Sequence, residues 1–398
     1  MEGIDASGYE EATPVQQQVI PHILAGKDII ASAQTGTGKT AAFLLPLINK
    51  IITSAHDQHT INALVIVPTR ELAIQIAQHL EGLSYFTNIS SIAVYGGGDG
   101  NAFVQEKKAL STGADVVVCT PGKMMAHIKM GYVKFTGLKY LVLDEADRML
   151  DMGFYDDIMF IINHLPAKRQ NLLFSATMPQ KIREMARKIL HQPEEVNISI
   201  SKPPEKIIQQ AFMVYDTQKI PLIVHLLKHH NYNTVLIFCS SKLSVKQLTR
   251  DLKRNKLNAD EIHSDLDQDK REDVLIQFKS GRLPILVATD ILSRGIDIDN
   301  IELVINFDVP HDGEDYVHRI GRTARAAADG TAYTLVSIKE QRKFMAIEKL
   351  LGQPVPKATV PPEFGEVPEY NPAASRSNNT KGSFKPRRFQ KGGGNRPK

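Results

Sequence analysis

Short apolar runs alternate with stretches of helical period from about Asp28 to Ser337. Ala63–Val67, Asp115–Cys119, Lys139–Leu143, Asn171–Phe174, Thr234–Cys239, Pro284–Ala288 and Leu303–Phe307 are mostly apolar, all but Asn171–Phe174 contain β-branched residues, and charge occurs only at the leading Asp115 and Lys139. Runs of this length and composition read as strands buried on both faces, hence as parallel sheets with helices as crossovers. Between Ser199 and Lys206 the rhythm breaks, and Pro203-Pro204 excludes a helix interior or central strand there. This is the expected joint between two domains, residues 1–200 and 206–352. A second break begins near Gly352, so residues 353–398 read as a tail, and its last 25 residues lack the apolar surface needed to fold alone. No fixed-period repeat is visible, although both halves share the α/β rhythm.

Composition narrows the class. At 398 residues, with 42% hydrophobic and 23% charged positions, each half is long enough to bury its own core. The longest apolar stretch, Ala41–Ile48, is far short of the roughly 20 residues of a membrane span. Glu2 and Asp5 stand where a secretory signal would carry basic residues. The two cysteines, Cys119 and Cys239, each follow a strand-type run and read as reduced core thiols, which points to a reducing cytosol, or a nucleus if the source has one. Arg376, Lys381, Lys385, Arg387, Arg388, Lys391, Arg396 and Lys398 make the tail +8, which against an overall +4 leaves the body at −4.

Ala33-Gln34-Thr35-Gly36-Thr37-Gly38-Lys39-Thr40 follows the strand-like Asp28–Ser32 and precedes a helical segment. Glycines let such a loop approach phosphates, the helix N-terminus favours negative charge, Lys39 neutralises β/γ oxygens and Thr40 suits Mg²⁺. A chance Gly/Thr-rich turn would look similar, but the strand before and the helix after favour a nucleotide. Downstream, Tyr140–Leu143 runs into Asp144-Glu145-Ala146-Asp147. Alone, these acids read equally well as the first turn of a solvated helix. Behind a phosphate loop, Asp144 is placed for the Mg²⁺ shell and Glu145 for polarising water. In the second half, Arg319, Arg322 and Arg325 stand three apart on an expected helical face. By themselves they read better as a solvated basic face. Paired with an ATP site in the other half, they suit a phosphoryl transition state and would make lobe closure depend on ATP.

Taken together, the chain resembles a DEAD-box RNA helicase from about Gly8 to Ile347. Gly8-Tyr9 with Thr13-Pro14-Val15-Gln16 matches the family's glutamine motif, and Pro68–Ala73, Gly96-Gly97 and Thr120-Pro121-Gly122-Lys123 match its RNA-backbone segments. Ser175-Ala176-Thr177, Ile237-Phe238, Ala288-Thr289-Asp290, Ser293–Asp297 and His318–Arg325 complete the set in order. The resemblance implies two tandem RecA-like, doubly wound parallel-sheet domains with the P-loop NTPase fold, binding ATP and RNA across a cleft. It implies that Thr13 and Gln16 hold adenine and Asp297 the ribose. Arg322 and Arg325 would reach the γ-phosphate. Arg70, Gly97, Thr120, Lys123, Arg271, Thr289 and Arg294 would meet RNA, while Ser175, Thr177, Asp147 and His318 would couple the ATP state to strand separation.

Four departures matter. Lys123 stands where the family usually has Arg, keeping the charge but losing the bidentate fork. Ala324 replaces the usual Gly, as in RhlE-like bacterial members. Ala33, where the strict phosphate-loop pattern wants Gly, is common in the family. The chain begins seven residues before Gly8, without the aromatic that the family carries upstream near the adenine. A truncation or a late start would account for this, and adenine affinity is the property on which it bears. Phe384 and Phe389 sit among the tail's cations, pairing stacking groups with phosphate neutralisers, so the tail reads as a non-specific RNA anchor. The expected activity is ATP-driven unwinding or remodelling of short RNA duplexes and RNA–protein complexes. An ATP-gated RNA clamp and a DNA-directed translocase of the same fold remain as rivals.

Overall fold

Every apolar run above becomes a strand, and every pairing is parallel. In the computed structural model, described over residues 2–33, 37–54, 60–97, 100–197, 207–230, 232–289, 301–310, 313–323 and 330–373, fourteen strands form two sheets. The first holds β1 (Ile29–Ser32), β2 (Ala63–Ile66), β3 (Ser91–Val94), β4 (Val116–Cys119), β5 (Tyr140–Leu143), β6 (Gln170–Ser175) and β7 (Glu194–Asn197). The second holds β8 (Ile207–Met213), β9 (Val235–Cys239), β10 (Ala259–Ile262), β11 (Ile285–Thr289), β12 (Leu303–Asn306), β13 (Gly330–Val336) and β14 (Lys357–Ala358). Their orders are β3-β4-β2-β5-β6-β1-β7 and β10-β11-β9-β12-β13-β8-β14. Counted within each sheet, the two orders are the same. The shared rhythm of the two halves is thus one topology used twice, with no residue-level repeat to betray it.

The strands carry no alternation because both faces are covered. In β2, Ala63 and Val65 point into one apolar layer and Leu64 and Ile66 into the other, all fully buried. Helices supply the outer layers, such as Lys39–Thr53 and Arg70–Ser84 on one face of the first sheet. The second sheet is covered in the same way by two further layers with Val235 and Leu236 on opposite sides.

Two expectations are corrected. Residues 353–373 are not tail: Lys357 and Ala358 add a strand to β8, Val355 and Val360 are buried, and Tyr370 packs edge-on against Phe344. Spaced prolines hide this strap from any periodicity reading, because its apolar residues dock singly. The second correction concerns the arginines. The helix Gly313–Ile320 ends before Arg322, so Arg319 and Arg322 do not share a helical face. Arg319 turns inward instead, donating to Asn306 Oδ1 at 3.1 Å and to the Asp308 carbonyl at 2.9 Å over the Phe238 ring. The joint at Pro203-Pro204 and the cationic tail lie outside the described residues.

Candidate ATP and RNA site

The motifs occupy the carboxyl ends of the strands, where open α/β sheets bind ligands. Strand order then sorts them. β1, β6 and β5 are neighbours and lead into the phosphate loop, Ser175 and Asp144. β2, β4 and β3 are neighbours on the other side and lead into Arg70, Thr120 and Gly97. One rim therefore carries phosphate-loop chemistry at one end and the RNA-backbone candidates at the other.

Gln34, Thr35 and Gly36 lie outside the described residues, and the loop resumes at Thr37. Gly38 sits at φ +90°, and a Cβ there would meet Gln16 Nε2 at 2.7 Å. The side chain of Gln16 donates to the Gly38 carbonyl at 3.2 Å and accepts from the Thr13 amide at 3.0 Å. Thr13 caps the helix Pro14–Leu24, and that cap fixes Gln16 against the loop. Lys39 is 6% exposed, and its ammonium has no hydrogen-bond partner among the described residues. A buried ammonium with no hydrogen bond, drawn only through space by Asp144 and Glu145, is a candidate for phosphate oxygens. Thr40 follows it in the first turn of the helix.

Asp144 is buried beyond β5, and burial pushes its carboxyl up to about 6 against the pull of Lys39. Lys39 offsets that burial only in part, a setting that fits an Mg²⁺ shell. Glu145 sits at φ +52°, in the left-handed region that costs a non-glycine residue on the order of 1 kcal/mol or more. Burial alone would raise its carboxyl. Arg148, bonded to it at 3.0 Å, outweighs that with help from Lys39 and Arg322 and holds it below the ordinary range. Arg148 was not singled out from the sequence, although its i,i+3 spacing from Glu145 was a readable signal. Asp147 Oδ2 accepts from the Thr177 amide at 2.9 Å, its own amide donates to Ser175 Oγ at 3.1 Å, and Ser175 Oγ donates to the Thr177 carbonyl at 2.8 Å. The acidic box and the Ser175–Thr177 segment are thereby locked into one unit.

The second lobe supplies Arg322, 5% exposed, whose charge reaches Glu145 in the first lobe. His318 is also buried, on the last turn of its helix. Arg325, Arg294 and Asp297 lie outside the described residues. Arg271 donates to the Ser264 carbonyl at 2.7 Å, and Thr289 closes β11 half-buried. In the first lobe Thr69 caps the helix that Arg70 begins, and Arg70 donates to the Gly97 carbonyl at 3.2 Å. Thr120 stands before the helix Pro121–Lys129. Lys123 is paired with Glu106 at 2.9 Å, a carboxylate outside all the motifs. Its partner could not be found from the sequence, because Glu106 lies 17 positions away on the helix Gly100–Thr112.

Two family descriptions match, DEAD/DEAH box helicase over residues 13–185 and helicase conserved C-terminal domain over residues 218–327. ATP-dependent RNA helicase CshA of Listeria monocytogenes is 43% identical over 88% of this chain and 66% of its own length. DEAD-box ATP-dependent RNA helicase CshA of Geobacillus kaustophilus is 41% identical over 88% of this chain and 74% of its own. Among solved structures, S. cerevisiae Dbp5 bound to RNA and ADP BeF3 aligns with a TM-score of 0.81 at 28% identity, covering 91% of this chain and 93% of that one. A Dbp5 variant bound to Gle1 and IP6 aligns at 0.72 and 29% identity over 90% and 91%. The ordered motifs, the doubled parallel sheet and relatives above 40% identity agree, and the chain belongs to the DEAD-box ATP-dependent RNA helicases.

Proposed function

We propose that this chain hydrolyses ATP across two lobes, residues 1–200 and 206 to about 373, to unwind or remodel short RNA duplexes and RNA–protein complexes. The observation that carries this reading is the divided site. Lys39, Asp144 and Glu145 belong to the first lobe, and the buried Arg322 whose charge reaches Glu145 belongs to the second. Lys39 would hold the γ-phosphate, Glu145 would take a proton from water, and Arg322 would meet the charge that develops on transfer. A bound Mg²⁺, held by Thr40 and Asp144 largely through water, would neutralise phosphate oxygens. Gln16 and Thr13 would bring the adenine edge up to the phosphate loop that Gln16 braces. The hydrogen bonds joining Asp147, Ser175 and Thr177 give the nucleotide state a mechanical route to the strand ends.

The lobe arrangement supports the same reading, since the likeness is greater to Dbp5 holding RNA and ADP BeF3 than to the Gle1-bound form. Arg70, Gly97, Thr120, Lys123, Arg271 and Thr289 would take the RNA backbone, and the cationic tail would anchor RNA without regard to sequence. Among the described residues no helix is long and apolar enough to cross a membrane, and both cysteines are free and buried. We place the protein in the cytoplasm on the strength of those thiols.

Strand separation of a short RNA duplex, followed with ATP turnover and repeated on DNA of the same sequence, tests this function. RNA-dependent turnover with strand release is expected. Turnover without release would leave a clamp, and equal stimulation by DNA would leave a translocase.

A further inference from the structure

Lys123 replaces the family's arginine, and the structure shows what accompanies the exchange. Its ammonium lies 2.9 Å from Glu106 Oε2. The same oxygen lies 3.1 Å from His127 Nε2, and His127 Nδ1 meets the hydroxyl of Tyr132. Lys123 and His127 are one turn apart on the helix Pro121–Lys129, and Glu106 reaches them from the helix Gly100–Thr112. Phe103 stacks on His127 at 5.3 Å and underlies the Lys123 ammonium at 5.5 Å. Glu106 is 4% exposed and His127 fully buried, while the Lys123 side chain keeps 19% exposure.

Chemistry fixes the direction of this chain of bonds. Burial holds His127 below the ordinary imidazole range despite Glu106, so the ring is neutral. Its one N–H serves the carboxylate through Nε2, and Nδ1 accepts from Tyr132. Glu106 therefore takes a neutral donor on one side and a cation on the other. A buried carboxylate so placed is costly without that cation, which ties the lysine down. An ammonium has three donors, and Glu106 engages one of them.

We propose that Glu106 is a positioning residue for RNA: it holds Lys123 at the carboxyl end of β4 so that the free N–H groups present to one backbone phosphate, with His127 and Tyr132 fixing Glu106 in turn. A lysine stem is flexible where an arginine fork is preorganised. Here that freedom is lost on folding instead of on RNA binding. The proposal rests on the RNA-dependent function above.

The sign of the effect makes it testable. Plain electrostatics says that removing a carboxylate near RNA should strengthen binding. Positioning says the reverse. RNA-stimulated ATPase of the full chain, titrated with single-stranded oligouridylate, is compared for wild type, Glu106→Gln, Lys123→Ala and the double variant. Glu106→Gln should raise the half-saturating RNA concentration about three- to tenfold, the scale of one phosphate contact, with the rate at saturating RNA held within about twofold. Added to Lys123→Ala it should do nothing more. Tyr132→Phe, which removes no charge, should give a smaller rise in the same direction and decides the matter if Glu106→Gln does not fold. An unchanged or lower half-saturation in both variants, or an equal rise without Lys123, overturns the positioning role alone. A wild-type chain indifferent to RNA overturns both this proposal and the function it rests on.

Discussion

The guanidinium of Arg70 and the carboxylate of Glu272 meet across the two lobes, Nη2 to Oε1 at 2.5 Å. Arg70 starts the helix beyond β2, and Glu272 follows Arg271 on the helix Gln268–Lys279. The other prong of Arg70 is held by the Gly97 carbonyl, and its plane lies 4.6 Å from the Tyr95 ring centre. One residue thus joins the RNA-backbone candidates of the first lobe to those of the second.

Because Glu272 is 45% exposed, the pair is worth about 0.2–1 kcal/mol, the range of solvent-screened ion pairs. Glu272→Ala should lower the equilibrium constant for lobe closure by a factor of about 1.4 to 5 at low salt, and by less at high salt. Energy transfer between dyes on the two lobes, with ATP and RNA present, reads this directly. A salt-independent effect would mean that the pair acts through packing.

The chemical assignments separate by phenotype. Lys39→Ala should abolish turnover, because the phosphate site loses its buried cation. Glu145→Gln should still bind ATP and RNA but turn over at least about a hundredfold more slowly, as expected when a general base is lost. Single-turnover hydrolysis beside RNA affinity checks both, and an unaltered rate in Glu145→Gln would remove that residue from the water-activating role.

Arg322→Ala should cost RNA-stimulated turnover at least about a hundredfold while ATP affinity stays within about threefold. Arg322→Lys should not restore it, since the ammonium lacks the planar fork. Steady-state kinetics with a nucleotide-binding measurement tests the divided site.

Acid should weaken the first lobe through His127. Burial keeps its folded pKa below the ordinary value of about 6.5, so the unfolded chain takes up the proton first as pH falls. The contribution is full above about 6.5 and declines as pH drops toward the lower folded value. Asp144, raised to about 6, contributes in the opposite sense over part of this range. The His127 part is therefore read as the stability difference between wild type and His127→Gln in thermal unfolding, which should shrink from neutral to mildly acid pH.

Deleting Arg376–Lys398 removes eight positive charges and two rings. If half of them meet phosphates, the slope of log affinity against log salt should become shallower by roughly three, at about 0.7 per contact. Two unrelated RNAs should lose equally, with turnover at saturating RNA unchanged. A loss confined to one of them would make the tail a sequence reader.

Much of the fold was legible because buried parallel strands are unbroken apolar runs, as Val116–Cys119 and Val235–Cys239 are. The motifs were legible because loop patterns are local: Gly38 and Lys39 stand side by side in the chain. What stayed hidden depends on contacts between distant positions. Arg319 and Arg322 look alike in sequence, yet only the end of the helix at Ile320 sends one into the core of its lobe. The links of Glu106 to Lys123 and of Glu272 to Arg70 arise from strand order and lobe placement, which no spacing encodes.

The strap beyond Leu351 has a bearing on self-association. Without β14, the seven-residue β8 would be the outermost strand of its sheet, with Ile208 57% exposed beside a row of free backbone groups. Such an edge is a template on which another copy can add a strand. Two short residues of β14, with the Pro356 carbonyl taking the Ala211 amide, break that row. The prolines that looked like the start of an unstructured tail thus belong to a strap that covers part of the β8 edge, and a second lobe cut at Leu351 would leave that edge open.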